Sequence, residues 1–235
     1  MDAALEWHRN TQIPGLILWM DKVQEIVSAS TPIEHNDVRE LVADLWEFRT
    51  AVYERIYGNS FWFFASLGQD QIAKFESHQA ERNKDRFEDL EKGLDSYTKS
   101  RVASWQKRFE QWIGDLNATQ LETLNLSAST AYEHDLKQRS QIMALQQEFL
   151  GMLRTLPETE PPDFVDQLWK ITPSTQGTER FDMAVLVISD ILGNMDAEQK
   201  SYLLNQIRLW RGRLQDLSGT PPAPSASVPT PAQGP

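Results

Sequence analysis

RVASWQKRFEQWIGDLNATQ, Arg101–Gln120, decides how this chain is read. Val102, Trp105, Phe109, Trp112 and Leu116 recur every three or four residues, which places all five on one face of a helix. The stretch then ends on Leu116, Asn117 and, three residues after the asparagine, Gln120. A helix begins with backbone N–H groups that have no partner inside it. An Asn at the cap accepts one of them, and a Gln three residues on reaches back to the cap's own N–H. One helix face followed by the start signal of a second helix is the grammar of an all-α protein.

The same grammar recurs. Leu41, Leu45, Phe48, Val52 and Ile56 share a helical face, as do Ile142, Leu145, Phe149, Met152 and Leu156, and Leu203, Ile207, Trp210, Leu214 and Leu217. Strand-like alternation is scarce and no Asn-Gly or Asp-Gly hairpin signal occurs. The expected architecture is an elongated up-and-down helical bundle with one or two long central helices. Start signals repeat too: Asp196 with Gln199 matches Asn117 with Gln120, each preceded by an apolar residue that can staple the first turn. Gly68 with Gln71 is a weaker version, because glycine has no side-chain acceptor, and IEHND at Ile33–Asp37 is a degraded fourth. Capping explains these glutamines without any ligand, and predicts losses of about 1 kcal/mol when they are removed.

Breaks fall between these segments. Pro14 is expected to end or kink the first helical piece. SASTP at Ser28–Pro32 reads as a loop and YGNS at Tyr57–Ser60 as a break. From Asp70 to Ile113 only Gly93 interrupts a charged, helix-forming run, which is one long helix or two with a bend. PETEPP at Pro157–Pro162 and TPSTQGT at Thr172–Thr178 connect shorter helices. Residues 1–217 are expected to form one helical domain, with a sub-boundary near 124–130. The Pro/Ala/Ser-rich residues 218–235 read as a disordered tail, lacking apolar groups to offset the cost of ordering.

The 235 residues carry 23 basic and 34 acidic side chains, a net charge of −11, which argues against a nucleic-acid partner. There is no cysteine, so no disulfide or thiol chemistry is available. No run is long and apolar enough for a membrane helix, and the opening MDAALEWHRNTQ lacks the pattern of a signal peptide. No nucleophile elbow, phosphate loop, dinucleotide fingerprint or zinc-protease motif occurs. His8, His35, His78 and His134 lie far apart and read as surface or capping residues. Glu76 and Glu81 sit among mixed charges that include the favourable Glu88–Lys92 pair, the mark of a solvated helix face. The expectation is a chain without catalytic residues, cofactor or metal. FWFF, Phe61–Phe64, is different: four consecutive aromatics cannot all face one core. Phe61, Trp62, Phe63 and Phe64 are therefore the candidate protein-contact patch.

Several blocks resemble a known family. WHRNTQIP, with Trp7, His8, Arg9 and Pro14, is similar to a WHRxTxLP signature. LGQDQIAKFESHQAERNKDRF, with Glu81, Arg82 and Asn83, resembles an LTPEQ–helix–ERN segment. Arg101–Gln120 resembles a long helix passing through a WLG-type turn into a second LTPEQ, and MDAEQKSYLLNQIRLWRGRLQDL resembles a closing helix. Together, over about residues 5–217, these are similar to a proteobacterial group of envelope lipoproteins known as domain of unknown function 6279. The resemblance implies a periplasmic domain held at the membrane by an N-terminal lipid anchor that this chain does not include. It implies a chain trimmed at its start with Met1 added, or a start codon placed too late. The pattern is altered at Gly68 and across Ile33–Asp37. The family has no activity to carry over, so the implied role is protein–protein contact in the envelope. The LTxxQ-like elements also resemble those of small periplasmic chaperones of the Spy and CpxP type, a second reading. An enzyme with a carboxylate or metal site assembled from distant residues is a third.

Overall fold

In the computed structural model, residues 6–29, 31–171 and 178–218 are described. Among them the chain forms an all-α bundle: α1 Ile13–Ser28, α2 His35–Tyr57, α3 Phe61–Ala65, α4 Gln69–Glu91, α5 Leu94–Ile113, α6 Ala118–Arg154, α7 Phe164–Lys170, α8 Glu179–Gly193 and α9 Ala197–Ser218. Ser218 closes α9, so the expected tail shrinks to residues 219–235, which lie outside the described residues. The stretch 124–130, expected as a sub-boundary, falls inside the unbroken α6.

Pro14 does not end the first helix. His8–Gln12 forms a π-helical turn that runs directly into α1, with Ile13 N–H donating to His8 O five residues back. Widening that turn accommodates the proline ring and its missing N–H, which a regular α-helix interior would not tolerate.

The longest feature is an antiparallel hairpin. α4 and α5 follow one another along the single 37-residue α6, a helix about 55 Å long at 1.5 Å per residue. Pairs across the interface run in opposite order: Glu76 with Arg154, Asn83 with Gln146, Glu91 with Arg139, and Arg101 with Asp135. The open question at Gly93 resolves as two helices. Gly93 sits at φ +98°, ψ 177°, a region that only glycine occupies without strain, and a Cβ there would meet nothing within 4 Å. The penalty for Gly93→Ala is therefore backbone strain alone. We expect a loss of about 1–3 kcal/mol in chemical denaturation, with the far-ultraviolet spectrum retained.

Apolar burial is concentrated in a head and a far end, with Phe87, Leu90, Tyr97 and Ala131 forming a smaller cluster between them. At the head, α1 packs on α9, and Val23, Ile113, Leu124, Ile191, Leu203 and Ile207 form a common core. Trp19 Nε1–H donates to Leu41 O at 2.9 Å, and Arg211 pairs with Asp21, tying α1 to α2 and to α9. At the far end Phe61, Phe164 and Leu168 form a second cluster, beside Ile72, Leu150 and Leu153. The helical faces read from the sequence are covered only in part. Leu41 is buried, yet Leu45 and Ile56 further along α2 are exposed; Leu203 and Ile207 are buried, yet Leu217 is exposed. Trp112 and Trp210, each partly open, stack on one another at 6.2 Å.

Candidate functional site

Two of the capping glutamines do more than cap. Asn117 Oδ1 accepts from Gln120 N–H while Gln120 Oε1 accepts from Asn117 N–H, so the box is complete in both directions. Asp196 and Gln199 reproduce it. The two boxes then interlock. Gln120 Nε2 donates to Gln199 Oε1 at 3.1 Å, and Gln199 Nε2 donates to Gln120 Oε1 at 2.8 Å. The remaining amide protons go to Ile191 O and Asp115 O respectively. Each amide thus makes all four of its hydrogen bonds, and both side chains are buried. Asn117 adds a bond from Nδ2 to Asn194 O. This clasp joins the starts of α6 and α9 and the end of α8. Gln71 is a different case: it accepts only from Gly68 N–H and lies at the surface. The degraded Ile33–Asp37 copy also caps, with Asp37 Oδ2 accepting from Glu34 N–H.

The aromatic run divides by side. Phe61 is 2 % exposed and Phe64 is half-buried, meeting Phe164 edge-on at 5.2 and 6.4 Å. Trp62 and Phe63 face outward at 66 % and 63 % exposed. A five-residue helix clamped by two inward rings holds two outward rings in fixed positions.

The residues of the family-like signature serve several interfaces. Trp7 packs its ring near His8 at 5.1 Å and beneath the Arg55 guanidinium at 5.9 Å. Arg9 Nε–H donates to Leu217 O, tying the start of the chain to the end of α9. Asn83 and Gln146 exchange side-chain amide bonds across α4 and α6. Glu81 and Arg82 remain on the surface, Glu81 at 3.8 Å from His78. Glu76, the other carboxylate weighed for acid–base work, is paired with Arg154.

Between head and far end lies a cleft of about 390 Å³, walled by α2, α3, α4, α6 and α7 and the start of α8. One side is apolar: Tyr57, Phe64, Leu145, Phe149, Leu168 and Ile171. The other carries Arg86, Arg180 and His134. Arg86 and Arg180 also line an adjoining hollow with Arg101, Tyr97 and Asp135. There Arg101 bridges to Asp135 and donates to the Tyr97 hydroxyl, which in turn donates to Asp135 Oδ2 at 2.7 Å. His134 is not the surface residue the sequence suggested. Its side chain is 13 % exposed and its Nδ1 lies 3.2 Å from Glu179 Oε2. His35 meets Ser189, and among the described residues no three His, Asp or Glu side chains gather where a metal ion would be held.

Electrostatics in this region follow from crowding. Loss of solvent lowers the pKa of Arg86, and the neighbouring positive charge of Arg180 lowers it further. Burial and the hydrogen bond to Asp135 push Tyr97 up to about 12. A raised phenol pKa means the folded state holds its proton more tightly than the unfolded chain, where tyrosine titrates near 10. Tyr97 therefore contributes stability that is fully present below about pH 10 and is lost as pH rises toward 12. Ultraviolet titration of the five tyrosines is expected to show a late phase that disappears in Tyr97→Phe.

The sequence reading missed this cluster, since its members are scattered over α4, α5, α6 and α8. The one local signal was EHD at Glu133–Asp135, which looks like any charged helix turn.

Fold and site together define a small all-helical protein with a cationic, half-apolar cleft at its waist. A family model described as "Family of unknown function (DUF6279)" matches residues 1–176, and the chain belongs to that family. The match stops short of α8 and α9, which supply half of the glutamine clasp and Arg180. No curated protein and no solved structure matches the chain.

Proposed function

We propose that this chain is a non-enzymatic domain of the bacterial cell envelope, lipid-anchored in its full-length form, that acts by binding a protein partner. The envelope location rests on the family resemblance of WHRNTQIP, the ERN segment and Arg101–Gln120. The contact reading rests on one observation: Trp62 and Phe63 project side by side from a short helix fixed by Phe61 and Phe64. Rigid, outward aromatics are the side chains that dominate binding energy in protein interfaces, because they bury much area while losing little side-chain freedom.

Placing a photo-crosslinking amino acid at position 62 of the full-length protein in cells tests this. Leu126, at 71 % exposure on α6, serves as the control position. A discrete adduct from position 62 and none from 126 is the expected result. Equal labelling from both positions, or none from either, sinks the contact assignment. Recovery of the full-length protein from the cytosol after fractionation removes the envelope reading. Suppression of client aggregation at equal or lower amounts, without a discrete adduct, favours the chaperone reading instead.

A further inference from the structure

We propose that the waist cleft binds a single-tailed amphiphile with an anionic head, its head held by Arg86 and Arg180 and its tail lying among Tyr57, Phe64, Phe149 and Leu168. The volume of about 390 Å³ falls in the range of small-molecule sites, about 300–1,000 Å³. The division of the walls sets the chemistry. Aromatic and aliphatic side chains cover one end, and two guanidinium groups stand at the other.

Acidic side chains outnumber basic ones by 34 to 23 in this protein, yet the cleft arginines are not neutralised by one among the described residues. Arg39, Arg101, Arg139, Arg154 and Arg211 each bridge to a carboxylate on another helix. Arg86 and Arg180 face the same cleft with no carboxylate bridge among the described residues. Asp135 nearby is engaged by Arg101 and Tyr97, and Glu179 lies against His134. Two adjacent like charges repel unless an anion joins them, and guanidinium groups favour carboxylate and phosphate oxygens because their N–H forks match both.

A second feature points the same way. Gln79 lines the cleft, and its buried Oε1 accepts no hydrogen bond among the described residues. Buried polar atoms are almost always satisfied, so an unfilled acceptor on a cavity wall marks a place for a donor from outside the chain. A hydroxyl next to the anionic head, as in an acylglycerol phosphate, supplies that donor; a plain fatty acid leaves Gln79 to water. The two arms of the test separate these sources.

Calorimetric titration of the full chain with laurate and with lauroyl glycerol phosphate, each below its micelle concentration, is the experiment. Dodecyl maltoside and dodecyltrimethylammonium supply the same tail with a neutral or positive head, and acetate and inorganic phosphate supply the head alone. We expect one molecule bound per chain for at least one of the two anionic amphiphiles, with binding at least tenfold weaker in Arg86→Gln/Arg180→Gln. The single variant Arg86→Gln gives an intermediate loss, and both variants melt no lower than the wild type, because neither arginine supports the core and their mutual repulsion is relieved. A gain of the glycerol phosphate over laurate that vanishes in Gln79→Ala identifies the hydroxyl-bearing head. Failure of both anionic amphiphiles to bind overturns the proposal. Equal binding by the neutral or cationic amphiphile, head-only binding as tight as the whole molecule, or undiminished affinity in the double variant does the same.

Discussion

Gln120→Ala lowers the free energy of unfolding by about 3 kcal/mol, while Gln71→Ala lowers it by less than about 1 kcal/mol. The two glutamines occupy the same place in the same sequence pattern, so local capping alone predicts equal effects. The difference comes from what surrounds them. Removing Gln120 strips partners from the half-buried Asn117 N–H and from Ile191 O and both ends of the Gln199 amide, which are closed to water. Each buried polar group left unpaired costs about 1–3 kcal/mol, partly relieved if water enters the space. Gln71 loses one surface hydrogen bond. Urea denaturation of the two variants checks the contrast. A double-mutant cycle on Gln120 and Gln199 is expected to show coupling of about 2 kcal/mol, since the second removal exposes groups the first has already orphaned. Additive losses would show that each glutamine serves only its own helix.

The same site yields a pH test. Gln120→Glu keeps the shape but cannot donate to Ile191 O when ionised. Burial disfavours the charged form, so the folded-state pKa of the new carboxyl lies above the unfolded value of about 4.3. The folded state then binds the proton more tightly, and the variant is least impaired below about pH 4 and progressively weaker as pH rises through the raised pKa.

Phe61→Ala is the second large effect: a loss of about 3–5 kcal/mol, the range for removing a phenyl ring from a packed core. Phe61 is almost fully covered and meets Phe164 edge-on, in a cluster closed by Leu168. Trp62→Ala and Phe63→Ala, one and two residues along, are expected to change stability by no more than about 0.5 kcal/mol, because both rings already face solvent. Thermal melts of the three variants measure this directly. If Trp62→Ala were as costly as Phe61→Ala, the outward rings would be core residues and the contact patch would be lost. If all three are mild, α3 is not the clamp that holds the patch.

Much of the fold was legible because its signals are local. A helical period needs only neighbours three and four residues apart, and a capping box needs a residue and its third successor. Asn117 with Gln120, and Asp196 with Gln199, were therefore readable as helix starts, and they are helix starts. The family pattern was readable for the same reason, as an order of short blocks along the chain. Periodicity does not report how far a neighbouring helix extends along a face, which is why Leu45, Ile56 and Leu217 are exposed although their pattern matches that of buried Leu41 and Leu203. Nor does it weigh a widened turn against a proline, which is why Pro14 sits inside a continuous helical path.

By itself, then, the sequence determined that this chain is helical, where four of its helices begin, and which family it belongs to. Only the tertiary structure decided that Gln120 and Gln199, 79 positions apart, share one pair of amides. It alone brought Arg86, Arg101, Arg180 and His134 to one waist from four different helices. The physical reason is range. Backbone geometry and capping act within one turn, whereas burial, amide pairing and the meeting of charges depend on which distant surfaces pack together, and no short window of residues contains that information.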